Sequence, residues 1–439
     1  MPAPPGRILA NKMVAELWER LIALRRGRNE EVRTCGRCGR KFPYPITRAK
    51  RRGRKSEHPG EADETTPLAI DISFDICSGR AAKSSGRQRS MSTRVFGEAD
   101  GQSVHEATLR SDTGVEAKVI GWGAVLRDLV IPTGPHTTQR VVLGLNTLED
   151  YIQHSPYFGA IAGRFANRIA HGRFGLGERA HQLSLNQDGR HSLHGGLLGF
   201  SKRPWQIATL DESSVALTLV SPDGDQGYPG NLMASCIYKL TGSTLRVELM
   251  ATSDAATPVN LCHHSYFNLD GSPSILDHTL QLASDFYTPT DADLIPTGEV
   301  REVVGTAYDF REQRPVRRAD EAAGRPFRYD TNFVLRRAVL APSGIGDLPL
   351  AHAATFASER SGVALEVWTS EPGIQVYDGW MTDVPVPGLD GQRYGANAGL
   401  CLEPQHFPDS PNHPHFPDAI LRAGQAYRQI TEYRFSAPA

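Results

Sequence analysis

Cysteine is scarce in this sequence, six in 439 residues, which excludes a disulfide-stapled scaffold. No stretch approaches the roughly 18 consecutive apolar residues of a membrane helix, so no membrane partner is expected. The chain has no Gly-x-x-x-x-Gly-Lys-Ser/Thr loop, no Gly-x-Gly-x-x-Gly after a strand, no Gly-x-Ser-x-Gly elbow and no His-Glu-x-x-His. ATP, dinucleotide, hydrolase-elbow and common zinc-protease chemistries therefore have nothing to stand on. Glycine (42) and proline (30) are spread without a collagen period, and no internal repeat is visible. Long amphipathic helical windows are nearly missing from 91–439 too; there Pro315 to Ala323 alone hints at one. What is present is 39% hydrophobic and 22% charged residues, enough apolar material for a sizeable core.

Charge divides the chain. Residues 1–90 carry 20 Lys+Arg and 10 Asp+Glu, a net of +10; the remaining 28 basic and 39 acidic residues leave 91–439 at −11. A mildly acidic body argues against nucleic acid as its partner. The basic part holds a short amphipathic pattern at Val14 to Leu24, Arg-rich runs at 25–28 and 50–55, and a Cys35-x-x-Cys38 pair. That pair is half of a zinc site without its second half. Glu16, Glu19 and Arg20 interrupt the apolar stretch, so it does not read as a secretory signal. The expectation is a solvated, disordered or partly helical extension over 1–90, its presence explained by start-codon choice upstream of Met91. The domain that does the chemistry is then 91–439, in the cytoplasm.

From Val104 onward, short strands alternate with Gly, Pro, Asn and Asp turns. Residues 117–120, 140–143, 215–220 and 244–249 read as strands, with Leu245, Val247 and Leu249 on one face of the last. Many short strands at regular spacing point to an all-β sandwich or barrel rather than to βαβ units.

Four polar and aromatic clusters stand out: Gly163 to Ile169, Ser192 to Gly196, Asn260 to Leu269, and Leu402 to Pro411. Singly each has a bland reading, such as a strand end, a turn histidine or a salt-bridged carboxylate. Together they supply His, Glu, Asp, Arg, Asn and Gln beside Tyr, Phe and Trp. That is the equipment for a neutral polyhydroxylated ligand, whose hydroxyls need directional partners and whose ring face suits aromatics.

In order along the chain, GRFANRIAHGRF, SLHGG, NLCHHSYFNLDG, RYDTNFVL, EPGIQVYDG and LEPQHFPDSPNHPHFP resemble the aldose 1-epimerase (galactose mutarotase) family. The resemblance covers essentially all of 91–439 and none of 1–90. It implies a large antiparallel β-sandwich with the sugar in a cleft on one sheet, and interconversion of α and β anomers of free aldoses without metal or organic cofactor. Carried over by motif, it makes Glu403 the general base and His264 the general acid. Asn167, Arg168, His194, Asp330 and Gln375 would bind the sugar, and Tyr266 would line the same cleft.

The residue types suit the reaction. Mutarotation takes a proton from the anomeric hydroxyl and gives one to the ring oxygen; a carboxylate and an imidazole do both by exchanging roles. His194 and Arg168 would stabilise the developing aldehyde oxygen. One departure is His263, where the family usually has Asn or another small polar residue. Spacing to Ser265-Tyr266-Phe267 puts the acid at His264 and His263 on the opposite face. His406, His413 and His415 look like a metal cluster at a glance, but their Pro-rich setting favours loop structure shaped by Asp409 and Pro411. The alternatives are an epimerase of a phosphorylated or other hexose, which would need a basic cluster beyond Arg168, and a sugar-binding module without catalysis. A monomer or homodimer with buried thiols at Cys236, Cys262 and Cys401 is expected.

Overall fold

The computed structural model describes residues 93–320, 324–345 and 348–438. The readings of residues 1–90, Cys35 and Cys38 included, lie outside the described residues. No helix among the described residues is long and apolar enough to cross a membrane.

Three antiparallel sheets carry most of the chain. A five-stranded meander runs in chain order from Thr93 to Arg140. A ten-stranded sheet begins with four consecutive strands between Gln206 and Ser253, then receives the C-terminal strand Ala426–Ser436 and strands from 279–369. A six-stranded sheet orders Tyr266–Phe267, Leu400–Gln405, Gly373–Tyr377, Asp330–Leu335, Ser284–Thr288 and Arg301–Glu302. The all-β antiparallel expectation holds.

The sheets share one apolar core. Val119 of the meander, Leu217, Val247 and Val367 of the ten-stranded sheet, and Phe333, Ile374 and Leu402 of the six-stranded sheet belong to one buried cluster. Leu245, Val247 and Leu249 are all buried, as their alternation requires. Each such side chain contributes about 1.5–3 kcal/mol when fully buried. Strand Thr244–Ser253 lies between Leu232–Thr241 and Ala426–Ser436, which fixes its register from both sides.

Two local readings change. The helical hint at Pro315 to Ala323 gives way, over its described part, to short strand pairs: Arg314–Pro315 joins Thr279–Leu280, and Ala319–Asp320 joins Arg325–Pro326. Residues 140–143 are not one strand, because Arg140 ends a strand and Val142 makes an isolated bridge to Phe267. Among the described residues the α-helix is Leu148–His154, started by a capping box in which Thr147 and Asp150 each accept from the other's backbone N–H. It ends at Ser155, and the turn that follows carries Pro156 and Tyr157 into the site described next.

Candidate active site

Strand register builds one wall. Glu403 in Leu400–Gln405 lies opposite Gln375, and Gln375 lies opposite Asn332. Two residues along, Tyr266, Cys401, Tyr377 and Asp330 form a second cross-strand row. The two-residue period puts both rows on the same face, while Leu402, Ile374, Val376 and Phe333 turn to the core. His264 enters from a short neighbouring strand, Cys262–His264, paired with Ala160–Ala162.

Loops build the other wall. Asn167 (φ 62°) and His194 (φ 50°) both hold left-handed backbone. The Asn167 N–H donates to His194 Nδ1 at 3.2 Å. Nδ1 is thereby an acceptor, so the neutral ring carries its proton on Nε2 and can donate it. Gly195 (φ 87°) must be glycine, since a Cβ there would lie 1.8 Å from the Gly163 carbonyl oxygen. Arg164 is fully buried, donates to Ser221 and to the Pro222 and Pro229 carbonyls, and so anchors the start of the Arg168 loop. Asp409 fastens its end: its carboxylate accepts from Ala170 N–H at 3.0 Å, and its own N–H donates to the Arg168 carbonyl.

These walls enclose a cavity of about 140 Å³, lined by Asn167, Arg168, His194, His264, Tyr266, Asp330 and Glu403 among others. Seven of the eight residues singled out from the sequence thus meet at one place. The eighth, Gln375, stands behind: its Nε2 donates to Asp330 Oδ1 at 2.6 Å, and its buried Oε1 has no partner. Arg168 Nη2 reaches Asp330 Oδ2 at 3.4 Å, and Arg168 Nε donates to Gln187 at 2.9 Å. Tyr157, Tyr377 and Met381 also line the cavity and escaped the reading of the sequence. Tyr377 was within reach of it, two residues from Gln375 on the same strand. Tyr157 had no such signal.

His264 Nε2 stands 3.5 Å from Glu403 Oε1. Burial pushes Glu403 up to about 8, with the nearby Asp330 adding to it, and brings His264 down to about 4. Burial thus favours the uncharged form of each partner, a protonated Glu403 carboxyl beside a neutral His264. His194 is held well below its ordinary value by burial, then by His264, Arg168 and Lys202, and stays a neutral donor. Two thiols back the pair: Cys262 Sγ lies 3.6 Å from Glu403 Oε2, and Cys401 Sγ lies 3.7 Å from His264 Nδ1. Donor atoms of His264, Cys401 and Glu403 fall within 4.8 Å of one another. The thiol and the carboxylate, however, approach different ring nitrogens, which is the arrangement of a hydrogen-bonded acid–base pair rather than of ligands around a shared centre.

His263 points the other way, between Tyr238 and Tyr433 in the core, with Nε2 at 2.5 Å from Ser265 Oγ. The tail histidines do not converge: His406 pairs with Glu371 at 2.8 Å, His413 with Asp409 at 3.3 Å, and His415 with the Gly298 carbonyl at 2.7 Å. Asp409 adopts left-handed backbone (φ 57°) and begins a 3₁₀ turn with Pro411 inside it.

Residues 105–434 match the aldose 1-epimerase family. The chain is similar to galactose mutarotase of Mus musculus, 41% identical over 352 residues that cover 79% of this chain and 99% of that one. It is 38% identical to aldose 1-epimerase of Escherichia coli, over 77% of this chain and 97% of that one. Among solved structures, a GalM/aldose epimerase homologue from C. elegans superposes with a TM-score of 0.70 at 30% identity, covering 76% of this chain and 99% of that one. A galactose 1-epimerase from Lactobacillus acidophilus gives 0.66 at 28% identity, covering 80% and 100%. The ordered motifs, the antiparallel sheets and the buried His–Glu pair thus converge with these likenesses: the chain belongs to the aldose 1-epimerase family.

Proposed function

We propose that this chain interconverts the α and β anomers of free aldohexoses such as D-galactose and D-glucose, with Glu403 and His264 exchanging protons with the sugar. The observation that carries the reading is the buried His264–Glu403 pair, 3.5 Å apart, lining the cavity. In the state that opens the ring, the proton sits on His264 and Glu403 is ionised. Glu403 takes the anomeric hydroxyl proton as His264 gives its proton to the ring oxygen, and the ring opens to the aldehyde. The pair again holds one proton, now on Glu403. Rotation about the bond next to the carbonyl presents its other face, and the reverse transfers close the ring as the other anomer. General acid and base assistance are each worth about 10²–10⁴ in rate.

His194, a neutral Nε2–H donor, and Arg168 face the developing aldehyde oxygen and hold the open chain. Asn167 and Asp330 take sugar hydroxyls, Tyr266 covers an apolar patch, and Gln375 acts on the sugar through Asp330, whose carboxylate it holds. Among the described residues that line the cavity Arg168 is the one cation, and it is already paired with Asp330. That favours an unphosphorylated sugar over a hexose phosphate, which needs several cations. The catalytic domain is 91–439, with its site complete in one chain. Free, buried Cys236, Cys262 and Cys401 fit a reducing, cytoplasmic setting.

Polarimetry of freshly dissolved α-D-galactose and α-D-glucose tests the proposal. Wild type should speed the approach to equilibrium and Glu403→Gln should not. A folded wild-type protein that accelerates neither sugar would overturn it.

A further inference from the structure

His264 does not stand alone in its cavity. The Tyr157 ring lies 5.6 Å from it, centroid to centroid, at an interplanar angle of 28°. The Tyr266 ring lies 5.3 Å away at 25°. Both are stacked on the imidazole, and they come from segments more than 100 residues apart in sequence. The two segments are tied together, because the Tyr266 hydroxyl donates to the Pro156 carbonyl at 2.8 Å, immediately before Tyr157. Tyr157 itself is in left-handed backbone, φ 72°, costly for an aromatic residue and kept only where the surroundings enforce it. The strain sits where the ring must turn inward: Tyr157 also contacts His194, 4.5 Å away, and forms the wall between the sugar cavity and a neighbouring cleft lined by Trp122, Leu197 and Lys202.

We propose that Tyr157 is a positioning residue, the second jaw of an aromatic clamp with Tyr266 that fixes the His264 ring and stabilises its protonated form. The inference rests on the reading above, in which His264 must become an imidazolium before the ring opens. An imidazolium stacked against aromatic rings gains a cation–π attraction that the neutral ring lacks. The clamp thus favours the charged state selectively, in a site whose burial opposes it. The other groups facing His264 are Glu403 and Cys401 from the Leu400–Gln405 strand, His194 from its loop, and His263 on its own strand. Glu403 aside, none supplies a full negative charge at neutral pH, so the aromatic faces are the remaining support for the cation.

Tyr157→Leu and Tyr157→Phe test this, since all three side chains bear the same backbone strain and exclude water from His264. Leu should lower kcat about 3- to 30-fold, the equivalent of the cation–π range, with KM changed less than about twofold. Phe should restore kcat. The acid limb of the kcat profile should move to lower pH with Leu. So should the midpoint of the His264 ring-proton NMR titration, followed without sugar. The NMR titration does not depend on turnover, so it reads the clamp even if wild type proves inactive on every sugar, which would overturn the functional reading alone. An acid limb and NMR midpoint that stay put or rise with Leu, a loss confined to KM, or a Phe variant as impaired as Leu would overturn the clamp.

Discussion

The two walls of the cavity are made differently. The sheet wall presents Glu403, Asp330 and Tyr266 from strands in regular antiparallel register, where the pleat itself decides which side chain faces in. The loop wall presents Asn167, His194 and Tyr157 from left-handed backbone, with Gly195 packed against the Gly163 carbonyl. The sheet wall's geometry follows from pairing over long stretches and resists local change. The loop wall is held by individual contacts: Arg164 at one end, Asp409 at the other, and the Asn167–His194 hydrogen bond between them. Proton transfer needs atoms fixed to within a fraction of an ångström, and its base belongs to the stiffer wall. Recognition of hydroxyls is divided between both.

Mutations should separate the walls. The largest contrast is between adjacent histidines. His264→Ala should lower kcat by about 10²–10⁴, measured by polarimetry on the folded variant. His263→Ala should leave turnover within a few-fold but destabilise the protein by about 2–4 kcal/mol in denaturant, because it empties a core position between Tyr238 and Tyr433. The reverse outcome would move the acid to His263. Next in size, Gly195→Ala should cost at least about 2 kcal/mol in denaturant melts and raise KM, since the loop wall must shift to admit a Cβ. An unchanged KM there would mean that His194 is not placed by this turn. Smallest, Gln375→Ala should raise KM by about 5- to 10-fold, the worth of one buried hydrogen bond to Asp330, and leave kcat nearly intact. A larger fall in kcat than in affinity would put Gln375 in the chemical step instead.

The same contrast explains what the sequence revealed. The sheet wall was legible through motifs: the resemblance supplied Glu403, Asp330, Gln375 and Tyr266, whereas alternation marked the core strand that carries Leu245, Val247 and Leu249. The partition of strands into sheets was not, because the C-terminal strand Ala426–Ser436 inserts between Thr244–Ser253 and Ala364–Thr369, a pairing no local pattern encodes. Non-local pairing also overrode the helical hint at Pro315, where Arg314 and Pro315 are recruited by Thr279 and Leu280. Helix Leu148–His154 had its sign in Thr147-x-x-Asp150, a short capping box easily passed over among strands. On the loop wall, Asn167 and His194 were found through motifs with neighbouring glycines. Tyr157 was not, since a tyrosine in left-handed backbone leaves no mark in composition or periodicity.

The central claim is that a buried His264–Glu403 pair carries one proton through the working range. The pH–rate profile of kcat/KM for mutarotation, which reports the groups of the free enzyme, tests it most directly. With His264 brought down to about 4 and Glu403 pushed up to about 8 by burial, the profile should be a bell. Below about 4 both groups are protonated and the base is lost; above about 8 neither is, and the acid is lost. Glu403→Gln should abolish the bell along with the activity. A wild-type rate that keeps rising through pH 8, or that is halved at the ordinary histidine value of about 6.5, would contradict the shared proton.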